Sequence, residues 1–320
     1  MNVADIIHPE DVKALKALKA VPGMSLLMEK IFQYGFDELS WSENVTTNLR
    51  LSEKQMPEIY NRLPPICKRL GIPVPELYVQ MTPITNSWTS GHSRPYIVLT
   101  LGLIRRIKGE ELDAVLAHEC GHILCEHAIY QTFANAVFSF GESFTDTIAG
   151  MVGTVAIKPI KQALISWCRA SELSADRIAC LIVSAETLGR ALARINLIPK
   201  YIVDEMDITE WAEQGKDFEA LKNGSTWNKI VRWIANEDAD HPYMPVRAYE
   251  ALKWEKSKTC MKFKACNSIL SRNSGKQLGS SLAGSIMDKT GSIEQDFGTL
   301  ANGGAMGSAL SQIGIHIKKK

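Results

Sequence analysis

The sequence predicts a mostly helical α+β fold in which a small antiparallel or mixed sheet packs on one central helix. Three observations predict it: apolar residues recur at helical spacing over most of the chain, β-rich runs occupy residues 76–80 and 96–101, and a strongly apolar helical pattern follows at residues 109–128. With 320 residues and 45% hydrophobic content, the chain can form one large domain with appendages, or at most two domains.

The chain before the β-rich runs is predicted to be mostly helical. Residues 11–20 are rich in Ala, Leu and Lys, and a second amphipathic run covers residues 24–34 after a Pro-Gly break. A further helix is expected over residues 52–70, where a Gly-Ile-Pro sequence stops the pattern. Between the β-rich runs, residues 86–91 are expected to form a short strand or a turn.

Helical patterns also fill most of the second half of the chain. They cover residues 160–188, 205–214 and 227–235, and a last one follows His241 and Pro242. Beyond residue 256 the composition changes to Gly, Ser, Ala and Lys, which is typical of a partly flexible tail. We therefore expect an N-terminal helical segment (1–51), one large domain (52–255) and a C-terminal tail (256–320).

Two histidines four residues apart determine the chemistry of the predicted central helix. In the sequence His118-Glu119-Cys120-Gly121-His122, both imidazoles lie along the edge of the apolar stripe and the Glu119 carboxylate lies in its middle. Burying these groups without partners is costly, and a zinc ion satisfies both histidines at once. This spacing is typical of hydrolytic zinc sites. Cys120 projects away from the histidine face and is expected to pack in the core.

A hydrolytic zinc site needs a third protein ligand and keeps a fourth position for water. His127 lies about 140° round the helix from His122 and cannot reach the same ion, so we expect a carboxylate. Two Glu-x-x-x-Asp pairs qualify, because the Asp in such a pair can orient a ligating imidazole. They are Glu142 with Asp146, and Glu172 with Asp176. Spacing alone does not decide between them.

Composition excludes several other classes of protein. Lys plus Arg (36) nearly balances Asp plus Glu (35), so no general attraction to nucleic acid is expected. The first residues lack signal-peptide features, and seven cysteines without a CxxC pair are typical of a cytoplasmic protein with reduced thiols. Residues 133–157 form an amphipathic pattern with two carboxylates, which argues against a membrane span and leaves peripheral membrane contact open. The oligomeric state is not predicted.

The sequence surrounding these motifs resembles a known family. SELSADR (residues 171–177), HECGH (residues 118–122), the strand-like YIVLTLGLI and the Asn-containing NSWTSG are similar to the metallopeptidase family of the HtpX heat-shock protease and the CAAX prenyl protease. The resemblance covers about residues 52–252 and is closer to the soluble members. It implies a gluzincin-like metallopeptidase fold, with Glu172 as the third zinc ligand and Asp176 as the residue that orients an imidazole.

The expected activity is hydrolysis of peptide bonds in a peptide or protein substrate. One zinc ion per chain, held by His118, His122 and Glu172, would lower the pKa of its bound water to about 7. Glu119 would take the proton from this water and later deliver it to the leaving amine. The sequence therefore predicts a zinc metalloendopeptidase.

Residues outside the central helix are expected to stabilise the transition state and to bind the substrate. His241 and Arg247 match a His-Pro pair and a following Arg that the family associates with transition-state stabilisation. Asn86, Ser87 and Trp88 match its Asn-containing edge motif, where a substrate backbone can add as a strand.

Two other functions stay open at this point. One is an interaction module that binds zinc without cleaving peptides and acts through its N-terminal helices or its tail. The intact Glu119 argues against it, because a binding scaffold does not need a buried base beside the metal ion. The other is a zinc hydrolase that acts on a non-peptide amide, which the same chemistry permits.

Overall fold

The computed structural model describes residues 2–33, 36–91, 94–139, 157–221 and 243–265. A short 3-10 helix, Val3–Asp5, precedes the first α-helix. The α-helices are α1 (Pro9–Lys19), α2 (Met24–Gln33), α3 (Phe36–Thr47), α4 (Pro57–Tyr60), α5 (Leu63–Leu70), α6 (Leu101–Arg106), α7 (Glu110–Leu124), α8 (Ala128–Ser139), α9 (Ile157–Ile182), α10 (Ala185–Ile195), α11 (Lys200–Glu205), α12 (Ile208–Ala220), α13 (Met244–Glu255) and α14 (Lys258–Ala265). The strands are β1 (Leu49–Arg50), β2 (Glu76–Gln80), β3 (Ser87–Ser90) and β4 (Tyr96–Thr100).

The four strands form one mixed sheet in the order β1-β2-β4-β3. The central strands β2 and β4 run parallel, with Glu76 opposite Tyr96, whereas β1 and β3 pair antiparallel with their neighbours. Every residue of β4 is buried, as expected for a strand that is covered on both faces. The order leaves β3 at one edge of the described sheet.

Helix α7 carries both histidines of the motif and is buried along most of its length. Its first turn contains Glu110, Glu111 and Asp113, whose charges interact favourably with the positive end of the helix dipole. Helix α7 packs against the long helix α9 and against β3. The sheet edge and a second helix are thereby brought next to the motif.

A left-handed turn at Glu126 follows the end of α7. Glu126 has a φ of 60°. Its N–H donates to the carbonyl of Ile123 at 3.2 Å, and the N–H of His127 donates to the carbonyl of His122 at 2.9 Å. This is a Schellman motif with Glu at the position that Gly usually takes. The helix therefore ends at residue 124 and not at the predicted residue 128, and the turn brings His127 back toward His122.

Prolines and a helix cap account for the other differences from the predicted helices. The expected helix over residues 52–70 starts only at Pro57, after Met56, which has a φ of 54°. It is divided into α4 and α5, because prolines occupy the first turn of α5 and cannot donate to a preceding helical turn. The expected helix over residues 160–188 consists of α9 and α10, because the Ser184 side chain caps a new helix.

Several predicted segments lie wholly or partly outside the described residues. These are the helix at residues 227–235, most of the amphipathic stretch at residues 133–157, and everything after residue 265. Helix α14 lies within the segment that we assigned to the tail, and its Cys260 and Phe263 are buried in the main core. None of the helices in the described ranges combines the length and the apolarity needed to cross a membrane.

Two large apolar clusters hold the helices together. The main core joins α5, α7, α9, α10 and α13 to the inner strands of the sheet. A second cluster packs α1 and α2 against α8 and α9, and includes Leu18, Met28, Phe133 and Trp167. The N-terminal helices are thus docked on the domain by ordinary apolar packing. The mostly helical α+β fold with a small mixed sheet confirms the predicted fold class.

Candidate metal centre

Helices α7 and α9 bring three buried metal-binding side chains together. His118 and His122 project from α7, and Glu172 projects from α9. The Nε2 atoms of the two histidines are 3.1 Å apart. Oε1 of Glu172 lies 3.1 Å from Nε2 of His122, and its Oε2 lies 3.4 Å from Nε2 of His118. Three possible ligand atoms therefore converge on one point.

These separations and charges fit a divalent cation. Ligand atoms about 2.1 Å from a tetrahedral zinc ion are about 3.4 Å apart, which is close to the three observed distances. Glu119, Glu172 and Asp176 are buried beside the Arg247 guanidinium and the two imidazoles. Their formal charges leave the region negative, and a divalent cation would neutralise it.

Asp176 and Arg247 fix the positions of His118 and Glu172. Oδ1 of Asp176 lies 2.9 Å from Nδ1 of His118, which leaves Nε2 facing the other ligand atoms. Arg247, from α13, donates through Nε to Oδ2 of Asp176 at 2.8 Å and through Nη2 to Oδ1 at 2.7 Å. Its Nη1 lies 2.8 Å from Oε2 of Glu172. One guanidinium thus contacts both a possible ligand and the residue that orients another.

Burial and neighbouring charges together set the pKa values of this cluster. Burial tends to raise the pKa of Asp176, but the Arg247 guanidinium outweighs this effect and the pKa is lowered. Burial tends to lower the pKa of His118, but the carboxylates of Glu172 and Asp176 raise it to about 10. Burial lowers the pKa of His122. In the metal-free protein, His118 therefore holds a proton that a bound cation replaces.

His122 contacts a second group of polar side chains. Its Nδ1 lies 3.0 Å from Nδ1 of His127 and 3.0 Å from Nε2 of Gln131. On the far side of the His127 ring, Nε2 lies 2.9 Å from Oδ2 of Asp11 in α1. A continuous series of hydrogen-bonding atoms therefore connects His122 with the N-terminal helix.

Two hydroxyl groups of strand β3 hold the Glu119 carboxylate. Ser87 Oγ donates to Oε1 at 2.7 Å, and Thr89 Oγ1 donates to Oε2 at 2.8 Å. Ser87 and Thr89 are two residues apart on the strand, so both side chains face the same side of the sheet. Glu119 itself is 3% exposed and does not belong to the converging ligand atoms.

A cavity of about 110 Å³ adjoins these groups. The three converging side chains, Glu119 and residues 86–89 of the sheet edge line part of it. An apolar wall completes it, formed by Val115, Leu188, Ala191, Leu192, Ile195 and Met244. One cleft therefore contains both the possible metal ligands with Glu119 and an apolar surface.

Comparison with known proteins identifies the family. A family model described as Peptidase family M48 matches residues 53–255. The chain belongs to peptidase family M48. It is therefore a metallopeptidase, and its substrate is a peptide or a protein.

Individual similar proteins match different shares of the chain. Plastoglobule-localized metallopeptidase 48, chloroplastic, of Arabidopsis thaliana is 27% identical over 260 residues, which cover 80% of this chain and 74% of that protein. A Protease HtpX homolog of Pelotomaculum thermopropionicum is 32% identical over 115 residues, or 35% of this chain and 40% of that protein. The solved structure of S. mikatae Ste24p is similar with a TM-score of 0.39 and 17% identity, over 75% of this chain and 65% of that chain.

The structure of this M48 peptidase brings together most of the site residues that the sequence suggests. Asn86, Ser87 and Trp88 line the cavity, and Arg247 reaches it from α13. His241 lies outside the described residues. The alternative pair, Glu142 with Asp146, also lies outside them.

Three polar residues near the M48 metal site were not selected from the sequence. Thr89 follows Ser87 at strand spacing, so the alternation of side chains gave a signal for it. His127 was rejected as a ligand, and it contacts a possible ligand without joining the converging atoms. Asp11 gave no signal, because an acidic residue in the first turn of a helix is ordinary.

Proposed function

We propose that this metallopeptidase is a zinc-dependent endopeptidase that holds one zinc ion with His118, His122 and Glu172. The convergence of these three side chains next to the buried Glu119 carboxylate carries the proposal. Two histidines and one glutamate are a known ligand set of catalytic zinc, which keeps one position open for water. Bound zinc supplies Lewis acidity and lowers the pKa of that water to about 7.

Glu119 is proposed as the general base and acid. It follows a ligand directly in sequence but is not a ligand itself, and Ser87 and Thr89 orient its carboxylate from the sheet edge. A carboxylate oxygen takes the proton of the attacking water, and the same group then delivers it to the nitrogen of the leaving amine. The two hydroxyl donors keep the base in one orientation during both transfers.

Arg247 and His241 remain proposals for transition-state stabilisation, and the contacts of Arg247 distinguish their roles. All three nitrogens of its guanidinium contact Asp176 or Glu172. This pattern favours Arg247 as a residue that positions the ligands over one that binds the oxyanion. We therefore propose His241 as the oxyanion donor, a role that needs a side chain free to face the developing charge.

The substrate is proposed to add along β3. This strand is an edge of the described sheet, and unpaired backbone groups of an edge strand can bind an extended peptide. Asn86, Ser87 and Trp88 are the residues expected to contact it. The apolar wall of the cavity fits an apolar side chain beside the cleaved bond.

The balance of basic and acidic residues supports a substrate other than a polyanion.

We propose that the protein acts in the cytoplasm, with or without peripheral contact to a membrane. Fractionation of cells that express the full chain measures its location directly.

A Glu119→Gln substitution tests the proposed mechanism. We expect it to reduce cleavage of casein and of a mixed peptide library by about 10²- to 10⁴-fold, with zinc content unchanged. Glu110→Gln, at an exposed carboxylate in the first turn of α7, is the matched control and should cleave normally. Normal cleavage by Glu119→Gln would overturn the mechanism. Hydrolysis of small amides without cleavage of any peptide would favour the non-peptide hydrolase.

A further inference from the structure

Helix α1 lies outside the residues matched by the family model, yet one of its side chains reaches the metal site. Asp11 lies in the first turn of α1 and is 2% exposed. Its Oδ2 is 2.9 Å from Nε2 of His127 and accepts from Oγ of Ser174 at 2.6 Å. Its Oδ1 accepts from Nε1 of Trp167 at 3.1 Å. Both carboxylate oxygens are therefore engaged inside the protein.

A buried carboxylate is a costly means of docking a helix. Apolar residues of α1 and α2, such as Leu18 and Met28, already pack against α8 and α9. Burial tends to raise the pKa of Asp11, but His127 and Ser174 lower it overall, so the group stays charged. Burying a charged carboxylate is costly unless its partners compensate for the lost water, and apolar residues could dock the helix without that cost. The charge of Asp11 therefore calls for a reason beyond packing.

The backbone conformation before His127 also indicates that this series of side chains has a role beyond packing. The ring of His127 is brought to His122 by the left-handed turn at Glu126. A residue other than glycine in this conformation costs about 1 kcal/mol or more. The chain keeps this strain at the position that sets His127 between His122 and Asp11, and the His127 side chain is 3% exposed.

The metal ion at one end and the carboxylate at the other fix the order of protons along the series. A metal ion on Nε2 of His122 requires the ring proton on Nδ1, which then donates. Nδ1 of His127, at 3.0 Å, must therefore accept. His127 then carries its proton on Nε2 and donates it to Asp11, whose carboxylate has acceptors only.

We infer that Asp11 is a positioning residue of the metal site: through His127 it keeps the proton of His122 on Nδ1 and leaves Nε2 free for the metal ion. The inference rests on the proposed function, because it requires a metal ion on His122. It assigns to the N-terminal segment a part in building the site, in addition to its packing on the domain.

Gln131 limits how much zinc affinity should be lost when Asp11 is replaced. Its Nε2 lies 3.0 Å from Nδ1 of His122, and its Oε1 is buried without a hydrogen-bond partner among the described residues. A 180° flip of the Gln131 amide exchanges its oxygen and nitrogen, and Oε1 can then accept from Nδ1 of His122 as a second acceptor. Loss of Asp11 is therefore partly compensated. The general range for residues that orient a ligand is about 10- to 100-fold in metal affinity, and we expect about 10-fold.

An Asp11→Asn substitution in the full chain tests the inference. The shape is nearly unchanged. The indole N–H of Trp167 can only donate, so it holds the amide oxygen at the Oδ1 position and the amide nitrogen faces Nε2 of His127. The ring proton of His127 then moves to Nδ1, where it opposes the Nδ1 proton of His122. We expect the Kd for Zn²⁺, from competition with a chromophoric chelator, to rise about 10-fold. The visible absorption of the Co²⁺-substituted protein should also change.

Glu250→Gln is the matched control. Glu250 lies 3.6 Å from His8 and so holds the same N-terminal segment without touching the proton series. Its Kd for Zn²⁺ should equal that of the wild type. If Asp11→Asn lowers the free energy of unfolding but leaves the Kd and the Co²⁺ spectrum unchanged, Asp11 is structural only and the inference is overturned.

A measurement on the wild type keeps the inference testable if Asp11→Asn does not fold. Nitrogen-15 NMR of the zinc-loaded, histidine-labelled protein reports which ring nitrogen of His127 carries the proton. A proton on Nε2 supports the inference, and a proton on Nδ1 overturns it. A wild type that binds no zinc overturns the proposed function itself, whereas a zinc-binding wild type with an unaffected Asp11→Asn variant overturns only the inference.

Discussion

Gly121 and Ala175 form a close contact between the two helices that carry the metal-binding side chains. A Cβ atom on Gly121 would lie 3.0 Å from Cα of Ala175 and 3.1 Å from its carbonyl oxygen. Gly121 comes directly before His122, and Ala175 lies between Glu172 and Asp176. The absence of a side chain at residue 121 therefore lets α9 approach closely enough for its carboxylates to meet the histidines.

We expect Gly121→Ala to weaken zinc binding by displacing α9. Crowding in a packed interior costs about 1–3 kcal/mol, and the better helix propensity of Ala returns about 1 kcal/mol, so the fold should survive. The displacement falls on the backbone next to Glu172, and the Kd for Zn²⁺ should rise. Chelator competition and urea unfolding measure the two effects separately. An unchanged Kd would show that the close contact does not set the ligand geometry.

Substitutions at the two candidate carboxylates should have different effects on the metal content. Glu172→Ala removes a side chain whose oxygens lie 3.1 Å and 3.4 Å from the histidine nitrogens, so purified protein should contain less than one zinc ion per chain. Glu142→Ala is the control and should keep full zinc content. Elemental analysis of both variants decides the matter. Loss of zinc from Glu142→Ala alone would reverse the assignment.

The fold class, and the placement of His118 and His122 side by side on one helix, could be predicted from the sequence because both depend on local patterns. The spacing of His118 and His122 on one helix, and the alternation of strand residues, follow from backbone geometry alone. The choice of Glu172 as a ligand depended on family resemblance. Its distance from the histidines is a long-range property that spacing does not contain.

The contacts that connect His122 with His127 and Asp11 could not be predicted from sequence patterns, for a physical reason. Asp11 and His127 are 116 positions apart along the chain. His127 reaches His122 only because α7 ends in a left-handed turn at a glutamate, where a glycine is normally expected. A buried hydrogen bond between distant segments leaves no periodic signal. Helix ends were mispredicted for a related reason, since caps and prolines act over only one or two residues.

Thr89→Val should slow catalysis without changing zinc binding. The substitution keeps the shape of the buried side chain but removes the hydroxyl that donates to Oε2 of Glu119 at 2.8 Å. A hydrogen bond to a charged group contributes about 1.5–3 kcal/mol, which corresponds to a kcat reduction of about 10- to 100-fold if the bond acts in the transition state. Steady-state kinetics on a peptide, together with zinc analysis, measure the effect.

Thr132→Val is the matched control for this prediction. Thr132 is also a buried threonine, and its hydroxyl contacts Ser90 and the N–H of Gly91 at the end of the same strand, away from Glu119. It should leave kcat near the wild-type value. Equal losses of kcat in both variants would point to a general loosening of β3, and the specific role of Thr89 would be abandoned.

The pair of Glu250 and His8 should make the docking of the N-terminal segment sensitive to acid. The His8 imidazole, 3.6 Å away, lowers the pKa of Glu250 and outweighs the opposite effect of burial. A carboxyl group with a lowered pKa contributes stability above its unfolded pKa, about 4.3, and this contribution is lost as the pH falls through the folded pKa. We expect wild type to exceed Glu250→Gln in free energy of unfolding by about 0.5–1 kcal/mol at pH 6.

At pH 3 this difference should be smaller than at pH 6, because a falling pH protonates Glu250 and removes the difference in charge from Gln. Urea unfolding of both proteins at the two pH values measures it. Glu53→Gln, at an exposed carboxylate, serves as the control and should match the wild type at both. A difference between wild type and Glu250→Gln that stays constant from pH 6 to pH 3 would show that the glutamate acts through its shape and not through its charge.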